Sequence, residues 1–198
     1  MDISIVKYNA GNVQSVLFAL ERLGIHATVT DDHEALQHAD KVIFPGVGEA
    51  SSAMEYLKSR KLDVLIKELK QPVLGICLGM QLLCRHSEEG NTTCLGIFQT
   101  EVKKFQTPPD APELKVPQMG WNSIYDCKGP LYKGLPDTPY VYYVHSYYAE
   151  LCESTSAQTD YILPYSAALS KDNFHAVQFH PEKSGIDGEI IIRNFLNL

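Results

Sequence analysis

The sequence predicts an α/β protein with a mostly parallel open sheet, helices on both faces and an antiparallel extension toward the carboxyl terminus. Apolar runs of strand length alternate with helical patterns up to residue 86, which is typical of a parallel sheet. From about residue 97 strand-like runs follow one another directly, which favours antiparallel pairing. A length of 198 residues suits one domain, so we expect residues 1–198 to form a single unit.

The elements of the first half come in alternating order. Strands are predicted over residues 3–7, 26–30, 41–44 and 73–76. Helices are predicted from Gly11-Asn12 to Gly24, and over residues 34–37, 51–59, 62–70 and 78–86. Strands that alternate with helices in this way are expected to be covered by helices on both faces.

The second half is predicted to extend the same sheet. Strand-like runs cover residues 99–105, 122–125, 141–144, 146–149, 167–170 and 176–179, and an amphipathic helix covers residues 187–198. The proline-rich segment 107–112 reads as an exposed loop rather than a domain linker.

Composition and charge exclude several classes of protein. Hydrophobic residues make up 44% and charged residues 21%, as in globular proteins, and the net charge of -7 argues against a nucleic-acid surface. The amino terminus already reads as a strand, without a signal peptide, and no run is long enough to span a bilayer, so we expect a cytoplasmic protein with no membrane partner. The five cysteines include no CxxC pair, so we expect no disulfide framework, no metal site and no cofactor.

One cysteine lies at the junction of a predicted strand and a predicted helix. Gly75-x-Cys77-x-Gly79 has the form of a nucleophile elbow, in which flanking glycines allow a tight turn and the thiol is presented at the carboxyl edge of the sheet. The start of the following helix favours the thiolate, which is the reactive form. The alternative is a buried structural cysteine between two packing glycines.

A base for this thiol is predicted at His180. Pro181 biases His180 toward extended backbone, where residues two apart point to the same side, so Glu182 can orient the imidazole. The alternative is a solvated turn, which the presence of the elbow disfavours. The acid follows the histidine, whereas α/β-hydrolases place it before the histidine, so an esterase or lipase is not expected.

These two segments resemble the hallmark segments of class I (triad-type) glutamine amidotransferases, which have a flavodoxin-like fold. The matching segments are Gly75-Ile76-Cys77-Leu78-Gly79-Met80-Gln81 and His180-Pro181-Glu182. Three further segments, at residues 44–48, 117–122 and 143–147, are similar to those of the glutaminase subunits that serve a cyclase in histidine biosynthesis. Gln118 stands where that family usually has histidine, so the role of its side chain is open.

The resemblance implies hydrolysis of glutamine to glutamate and ammonia. Cys77 would attack the side-chain amide and form a thioester, with His180 moving the proton and Glu182 steadying the imidazole. The backbone N–H groups of Leu78 and Val47 would form the oxyanion hole. Gly46 and Gly48 flank Val47 and would let its peptide reorient at low steric cost.

The resemblance also implies which residues bind the substrate. Gln81 would hold the polar end of glutamine, together with the segment His145, Ser146 and Tyr147, and Gly46 and Gly48 would also belong to the substrate-binding site. His145 is the rival candidate for the base, but it lacks the Pro-Glu context of His180.

The implied partner is a cyclase with a (β/α)8 barrel, in a heterodimer. Ammonia would pass into the barrel and react with the ribulosyl-carboxamide nucleotide PRFAR, giving imidazole glycerol phosphate and AICAR in a lyase reaction. Trp121, Asn122, Tyr142 and Lys183 resemble residues of the docking face. A core anchor remains the alternative for Trp121, and a solvated surface residue the alternative for Lys183.

Such a subunit should be nearly idle alone, because uncoupled hydrolysis wastes glutamine. We therefore predict that the Gly46–Val47 peptide is misoriented in the free subunit and turns when the partner is loaded. Three other interpretations stay open: a related glutaminase that serves a surface-sugar or pyridoxal phosphate synthase, a non-catalytic subunit on the same fold, and a cysteine hydrolase or protease.

Overall fold

The structure is a computed structural model and describes residues 1–8 and 13–198. The strands are β1 (Ile3–Val6), β2 (Ala27–Thr30), β3 (Lys41–Phe44), β4 (Val73–Ile76), β5 (His86–Ser87), β6 (Thr92–Thr93), β7 (Glu101–Lys104), β8 (Gln118–Ser123), β9 (Tyr140–His145), β10 (Tyr147–Ala149), β11 (Thr155–Asp160), β12 (Pro164–Lys171) and β13 (Phe174–Val177). The α-helices are α1 (Val13–Arg22), α2 (His33–His38), α3 (Ala50–Ser59), α4 (Leu62–Glu68), α5 (Leu78–Leu83) and α6 (Gly185–Leu196). Gly11-Asn12, the predicted start of α1, lies outside the described residues.

Parallel strands form one half of the main sheet, in the order β2-β1-β3-β4-β13. All residues of β1, β3, β4 and β13 are buried, as expected of strands covered by helices on both faces. The order is that of flavodoxin-like folds. The predicted α/β class with a mostly parallel sheet is confirmed.

Alternation along these strands divides the core between two faces. Val6 and Phe44 belong to one apolar cluster, with α2, α3, α4 and α5. Ile5 and Ile43 belong to the other cluster, with α1, α6 and residues of β9. Side chains two apart on a strand share a face, so a run that is apolar throughout supplies both layers.

The antiparallel half continues from β13 in the order β12-β10-β7. β11 also pairs antiparallel with β12, as a branch outside this order. The run 176–179, predicted as part of the antiparallel extension, is instead β13, which is parallel to β4. This strand joins the two halves of the sheet because its other neighbour, β12, is antiparallel to it. β11, β5 and β6 were not predicted, since their polar residues lack an apolar alternation.

β8 and β9 correct the prediction of a single sheet. They pair antiparallel with each other and form a separate two-stranded sheet, with Trp121 opposite Tyr142. Val141 and Tyr143 of β9 are buried against the main body, whereas Met119 of β8 is exposed. The pair therefore forms a ribbon with one face packed on the core and one face open.

Helix α5 is shorter than the predicted helix over residues 78–86. It ends at Leu83 because the Leu83 carbonyl accepts hydrogen bonds from the N–H groups of Ile97 and Phe98. The neighbouring Cys84 carbonyl accepts from Gly96, and the chain then enters β5. Among the residues that the structure describes, no helix has the length and apolar character needed to cross a bilayer.

Candidate active site

Cys77 lies in a strained turn between β4 and α5. Its φ of 53° and ψ of -109° are a combination that non-glycine residues adopt rarely and at a cost of about 1–3 kcal/mol. The flanking glycines make this turn possible: a Cβ on Gly79 would lie 1.9 Å from the Phe44 carbonyl oxygen, and one on Gly75 would lie 2.7 Å from Leu83 Cδ1. The elbow predicted from the sequence is therefore present: Gly79 has no room for a side chain, and a side chain at Gly75 would require Leu83 to move.

His180 and Glu182 lie at the carboxyl end of the neighbouring strand β13. His180 Nδ1 is 2.8 Å from Glu182 Oε1, and both side chains are almost fully buried, with 5% and 3% of their surfaces exposed. A carboxylate on Nδ1 requires a proton on that nitrogen, which leaves Nε2 to act on the thiol. His180 has extended backbone, as predicted, but Glu182 lies in a 3-10 turn over Pro181–Lys183, so this turn rather than a continued extended segment brings the two side chains together.

The charged form of His180 is favoured by its two partners. Burial lowers the pKa of the imidazole, but hydrogen bonds with Cys77 and Glu182 outweigh burial and raise it to about 10. An imidazolium held between a thiol and a carboxylate can stabilise a thiolate and later donate a proton.

Contacts with β9 fix the backbone at His180. The His180 N–H donates to the Tyr142 carbonyl at 2.9 Å, and Ser184 Oγ donates to the His180 carbonyl at 2.7 Å. The Tyr142 N–H in turn donates to Ser184 Oγ at 2.9 Å. His180 is thus joined by hydrogen bonds to the two-stranded sheet as well as being connected to the main sheet through β13.

A pocket of about 340 Å³ opens above the thiol. It is lined by Val47, Gly48, Cys77, Leu78, Gln81, Glu89, Pro117, Val144, His145, Ser146, Tyr147, His180 and Lys183. Gly46 and Glu182 lie behind the pocket, beside a small cavity of about 10 Å³ that His180 shares. The structure brings together every residue that the sequence predicts for the catalytic, oxyanion and substrate-binding roles.

The peptide between Gly46 and Val47, which follows β3, directs its carbonyl and not its N–H toward the Leu78 N–H. The Leu78 N–H, one of the two predicted donors, donates to the Gly46 carbonyl at 3.3 Å. The preceding Pro45 carbonyl accepts a hydrogen bond from the buried Tyr8 hydroxyl. Gly48 has a φ of 127°, which L side chains rarely adopt. The carbonyl of the Gly46–Val47 peptide therefore occupies the position where an oxyanion would need N–H groups.

The His145 ring takes part in a buried polar network. Its Nδ1 lies 2.7 Å from the Tyr147 carbonyl, and its Nε2 lies 3.1 Å from both Gln118 Oε1 and the Tyr165 hydroxyl. Burial lowers the pKa of His145 to about 4, so the ring is neutral. Gln118, whose role was open, joins β8 to this network.

Comparison with known proteins is consistent with this geometry. The family model of glutamine amidotransferase class-I matches residues 5–198. The chain belongs to the class I glutamine amidotransferases.

Individual relatives of this amidotransferase cover its full length. Proteins named imidazole glycerol phosphate synthase subunit HisH are 62% identical in Bacteroides fragilis, 59% identical in Bacteroides thetaiotaomicron and 46% identical in Yersinia pseudotuberculosis, each over 100% of both chains. Among solved structures, PurLQS from Thermotoga maritima superimposes with a TM-score of 0.73 at 15% identity, covering 99% of this chain and 97% of the other. A likeness at that identity supports the fold alone.

Glu89 is a residue of the amidotransferase pocket that sequence reasoning missed. It lines the pocket, and its Oε2 accepts a hydrogen bond from the Ala50 N–H at the start of α3 at 2.8 Å. Burial raises the pKa of its carboxyl group. Glu89 follows α5 in a short 3-10 turn whose position depends on packing against α3, and no spacing in the sequence indicates that contact.

The residues predicted for a docking face lie together on the two-stranded sheet and beside the pocket. Trp121 is 48% exposed and stacks on Tyr140 with ring centroids 5.9 Å apart, so the interpretation as a core anchor is wrong. Tyr142 packs edge-on against Trp121, and the Asn122 amide donates to the Asp160 carbonyl at 2.7 Å. Lys183 is exposed at the rim of the pocket.

Proposed function

We propose that this chain is the glutaminase subunit of an imidazole glycerol phosphate synthase. It hydrolyses glutamine and delivers ammonia to a cyclase subunit with a (β/α)8 barrel, which converts PRFAR to imidazole glycerol phosphate and AICAR. Relatives with that synthase name share up to 62% of the sequence over the whole length. The observation that carries the proposal is the strained Cys77 and His180 in one pocket, with buried Glu182 paired to His180 behind it.

The chemistry we propose is acyl transfer through Cys77. The thiolate attacks the side-chain carbonyl carbon of glutamine, and the imidazolium of His180 gives its proton to the departing nitrogen, which leaves as ammonia. The neutral imidazole then takes a proton from water, whose oxygen attacks the thioester and releases glutamate. Glu182 holds Nδ1–H throughout, so the ring keeps one orientation while its other nitrogen changes protonation state.

The resting orientation of the Gly46–Val47 peptide supports low activity in the free subunit. Turning this peptide breaks the long hydrogen bond between the Leu78 N–H and the Gly46 carbonyl and frees that N–H. The Val47 N–H then replaces the carbonyl, so the oxyanion meets two donors instead of an acceptor. The energy for the turn comes from the loaded partner, which makes hydrolysis conditional on an acceptor for ammonia.

The substrate binds along the floor of the pocket. Gln81 and the segment His145 to Tyr147 offer amide and backbone groups to the polar ends of glutamine. Glu89 supplies a carboxyl group to the lining of the pocket, and its negative charge suits the α-ammonium group of the substrate.

The cyclase docks on the face formed by Trp121, Asn122, Tyr142 and Lys183. An exposed, stacked aromatic pair is typical of the buried centre of an interface, and the hydrogen bond from the His180 N–H to the Tyr142 carbonyl of β9 links this face to the proposed base. The working unit is a heterodimer in the cytoplasm, with residues 1–198 as a single amidotransferase domain.

The test is glutaminase activity with and without the candidate cyclase, followed by turnover of PRFAR by the copurified complex. We expect little glutamate from the isolated chain, strong stimulation by the loaded cyclase, and imidazole glycerol phosphate as product. Stimulation by a different synthase would assign the chain to a related pathway. Full glutaminase activity in Cys77→Ala would contradict the proposed chemistry.

A further inference from the structure

We propose that Gln178 is a positioning residue that holds the nucleophile and Gln81 in one hydrogen-bonded unit, an inference that rests on the proposed function. Gln178 lies just past β13, two residues before His180, and its side chain is fully buried. Its backbone N–H donates to the Ala167 carbonyl of β12 at 2.8 Å, which continues the sheet and fixes where the side chain begins. The side chain reaches across to the ends of β4 and α5.

The polar contacts of the two glutamines form one chain. Gln178 Nε2 lies 3.7 Å from Cys77 Sγ, and Gln178 Oε1 accepts a hydrogen bond from Gln81 Nε2 at 3.0 Å. Gln81 Nε2 also donates to the Tyr147 carbonyl at 2.9 Å. This series of hydrogen bonds therefore runs from the sulfur of Cys77 to the backbone of the substrate-binding segment.

The orientation of both amides is determined by the one carbonyl at the end of this chain. The Tyr147 carbonyl can only accept, so the Gln81 atom beside it must be nitrogen. The second hydrogen of the same Gln81 amide points to Gln178. The Gln178 atom that faces it must be the oxygen, because two facing nitrogens would both be donors. The Gln178 nitrogen is left to face the sulfur, and no other arrangement satisfies all three contacts.

This arrangement favours the ionised sulfur. A neutral thiol has an acceptor in the Val144 carbonyl, 3.8 Å from Sγ. A thiolate has no hydrogen to give to that carbonyl, but it can accept one from Gln178 Nε2. The imidazolium of His180 is the charged donor that faces the sulfur, and Gln178 adds a second, neutral donor.

The same arrangement prepares the pocket for substrate. Both hydrogens of the Gln81 amide are used inside the protein, so its Oε1 is the group left for the pocket. An acceptor held in one orientation binds a donor group of glutamine without first losing rotational freedom. Without Gln178, the Gln81 amide loses one of the two contacts that prevent it from flipping.

Two variants separate these effects. Gln178→Glu keeps an acceptor for Gln81 but places no donor beside the sulfur, whereas Gln178→Met has a similar size and supplies neither group. Ser166→Ala is the matched control, because Ser166 is fully buried on the adjoining β12 and its hydroxyl donates to the Glu150 carbonyl, away from the pocket. Thermal unfolding of each variant gives its loss of stability.

The first measurement is the rate of Cys77 alkylation by iodoacetamide in the isolated chain at one neutral pH, read by mass spectrometry of the Cys77 peptide. We expect the rate to fall several-fold in both Gln178 variants and to stay unchanged in Ser166→Ala. An unchanged rate in Gln178→Met, with the protein folded, overturns the proposal. This measurement needs neither substrate nor cyclase, so it stands even if the proposed function fails.

The second measurement is the KM for glutamine with the cyclase present. We expect KM to rise about tenfold in Gln178→Met and to change less than about twofold in Gln178→Glu, which still orients Gln81, while kcat falls in both. Equal rises in KM would contradict the assignment of the two amide ends. Absence of glutamate from the wild-type complex would instead refute the proposed function.

Discussion

At the scale of single residues, the charge state of each buried histidine in the site depends on whether its hydrogen-bond partners offset the effect of burial. His180 is deeply buried, which alone would keep it neutral, yet its contacts with Cys77 and Glu182 hold it as the cation. His145 is equally buried but has only neutral partners, and it stays neutral. Of these two buried histidines in one pocket, His180 is thus charged and His145 neutral, and only the charged one can supply a proton.

The raised pKa of His180 predicts a pH dependence of stability. An imidazole whose pKa rises on folding stabilises the folded state fully below its unfolded pKa of 6.5, and that contribution is lost as the pH rises through the folded value of about 10. We expect Glu182→Gln to flatten the decline in the free energy of unfolding between about pH 7 and pH 9, because the carboxylate that raises the pKa is gone.

Urea unfolding at several pH values measures this. Glu189→Gln removes an exposed carboxylate of α6 that pairs with Arg193, and it serves as the control. Parallel pH curves for the wild type and Glu182→Gln would show that Glu182 does not set the charge of His180.

At the scale of elements, β1 to β4 could be predicted as parallel strands because short strand-like runs alternate with helical patterns, whereas β13 was predicted to be antiparallel. β3 and β4 were predicted at their observed bounds, and the elbow between β4 and α5 follows from glycines at fixed spacing. The end of α5 and the separate pairing of β8 with β9 could not be predicted, since both depend on partners distant in the chain. Gln178 and Glu89 were missed for the same reason, because their contacts lie across the fold.

Close packing of α5 on β3 predicts the effect of adding one methyl group. A Cβ at Gly79 would lie 1.9 Å from the Phe44 carbonyl, so Gly79→Ala must move the helix away from the sheet. We expect a loss of more than about 3 kcal/mol in the free energy of unfolding, together with loss of glutaminase activity.

Gly24→Ala provides the comparison for Gly79→Ala. Gly24 has a φ of 74° and open space around its Cα, so alanine there meets only backbone strain and should cost about 1 kcal/mol. Denaturant titration of both variants gives the values. Equal losses would mean that the contact between α5 and β3 is looser than the structure has it.

At the scale of the whole molecule, one half of the fold supplies the chemistry and a small second sheet offers a surface. The triad lies at the carboxyl ends of β4 and β13, whereas the exposed aromatic pair Trp121 and Tyr140 lies on the ribbon of β8 and β9. The hydrogen bond from His180 to Tyr142 joins the two. A protein that docked on the ribbon would therefore lie close to His180, the proposed catalytic base.

Truncation of Trp121 tests this surface. We expect Trp121→Ala to weaken binding of the cyclase about 10- to 100-fold and to lower its stimulation of the glutaminase, with little loss of stability, since the side chain is half exposed. Val64→Ala is the control, because Val64 is equally exposed but lies on α4, which covers the opposite face of the main sheet. Calorimetric titration with the cyclase gives both affinities, and equal affinities would place the docking face elsewhere.

The most direct test of the account is covalent labelling by a diazoketone analogue of glutamine in the presence of the cyclase. We predict one adduct, on Cys77 alone among the five cysteines, formed at least about a hundredfold more slowly in His180→Ala. A label on another cysteine, or undiminished labelling of Cys77 without His180, would contradict the triad.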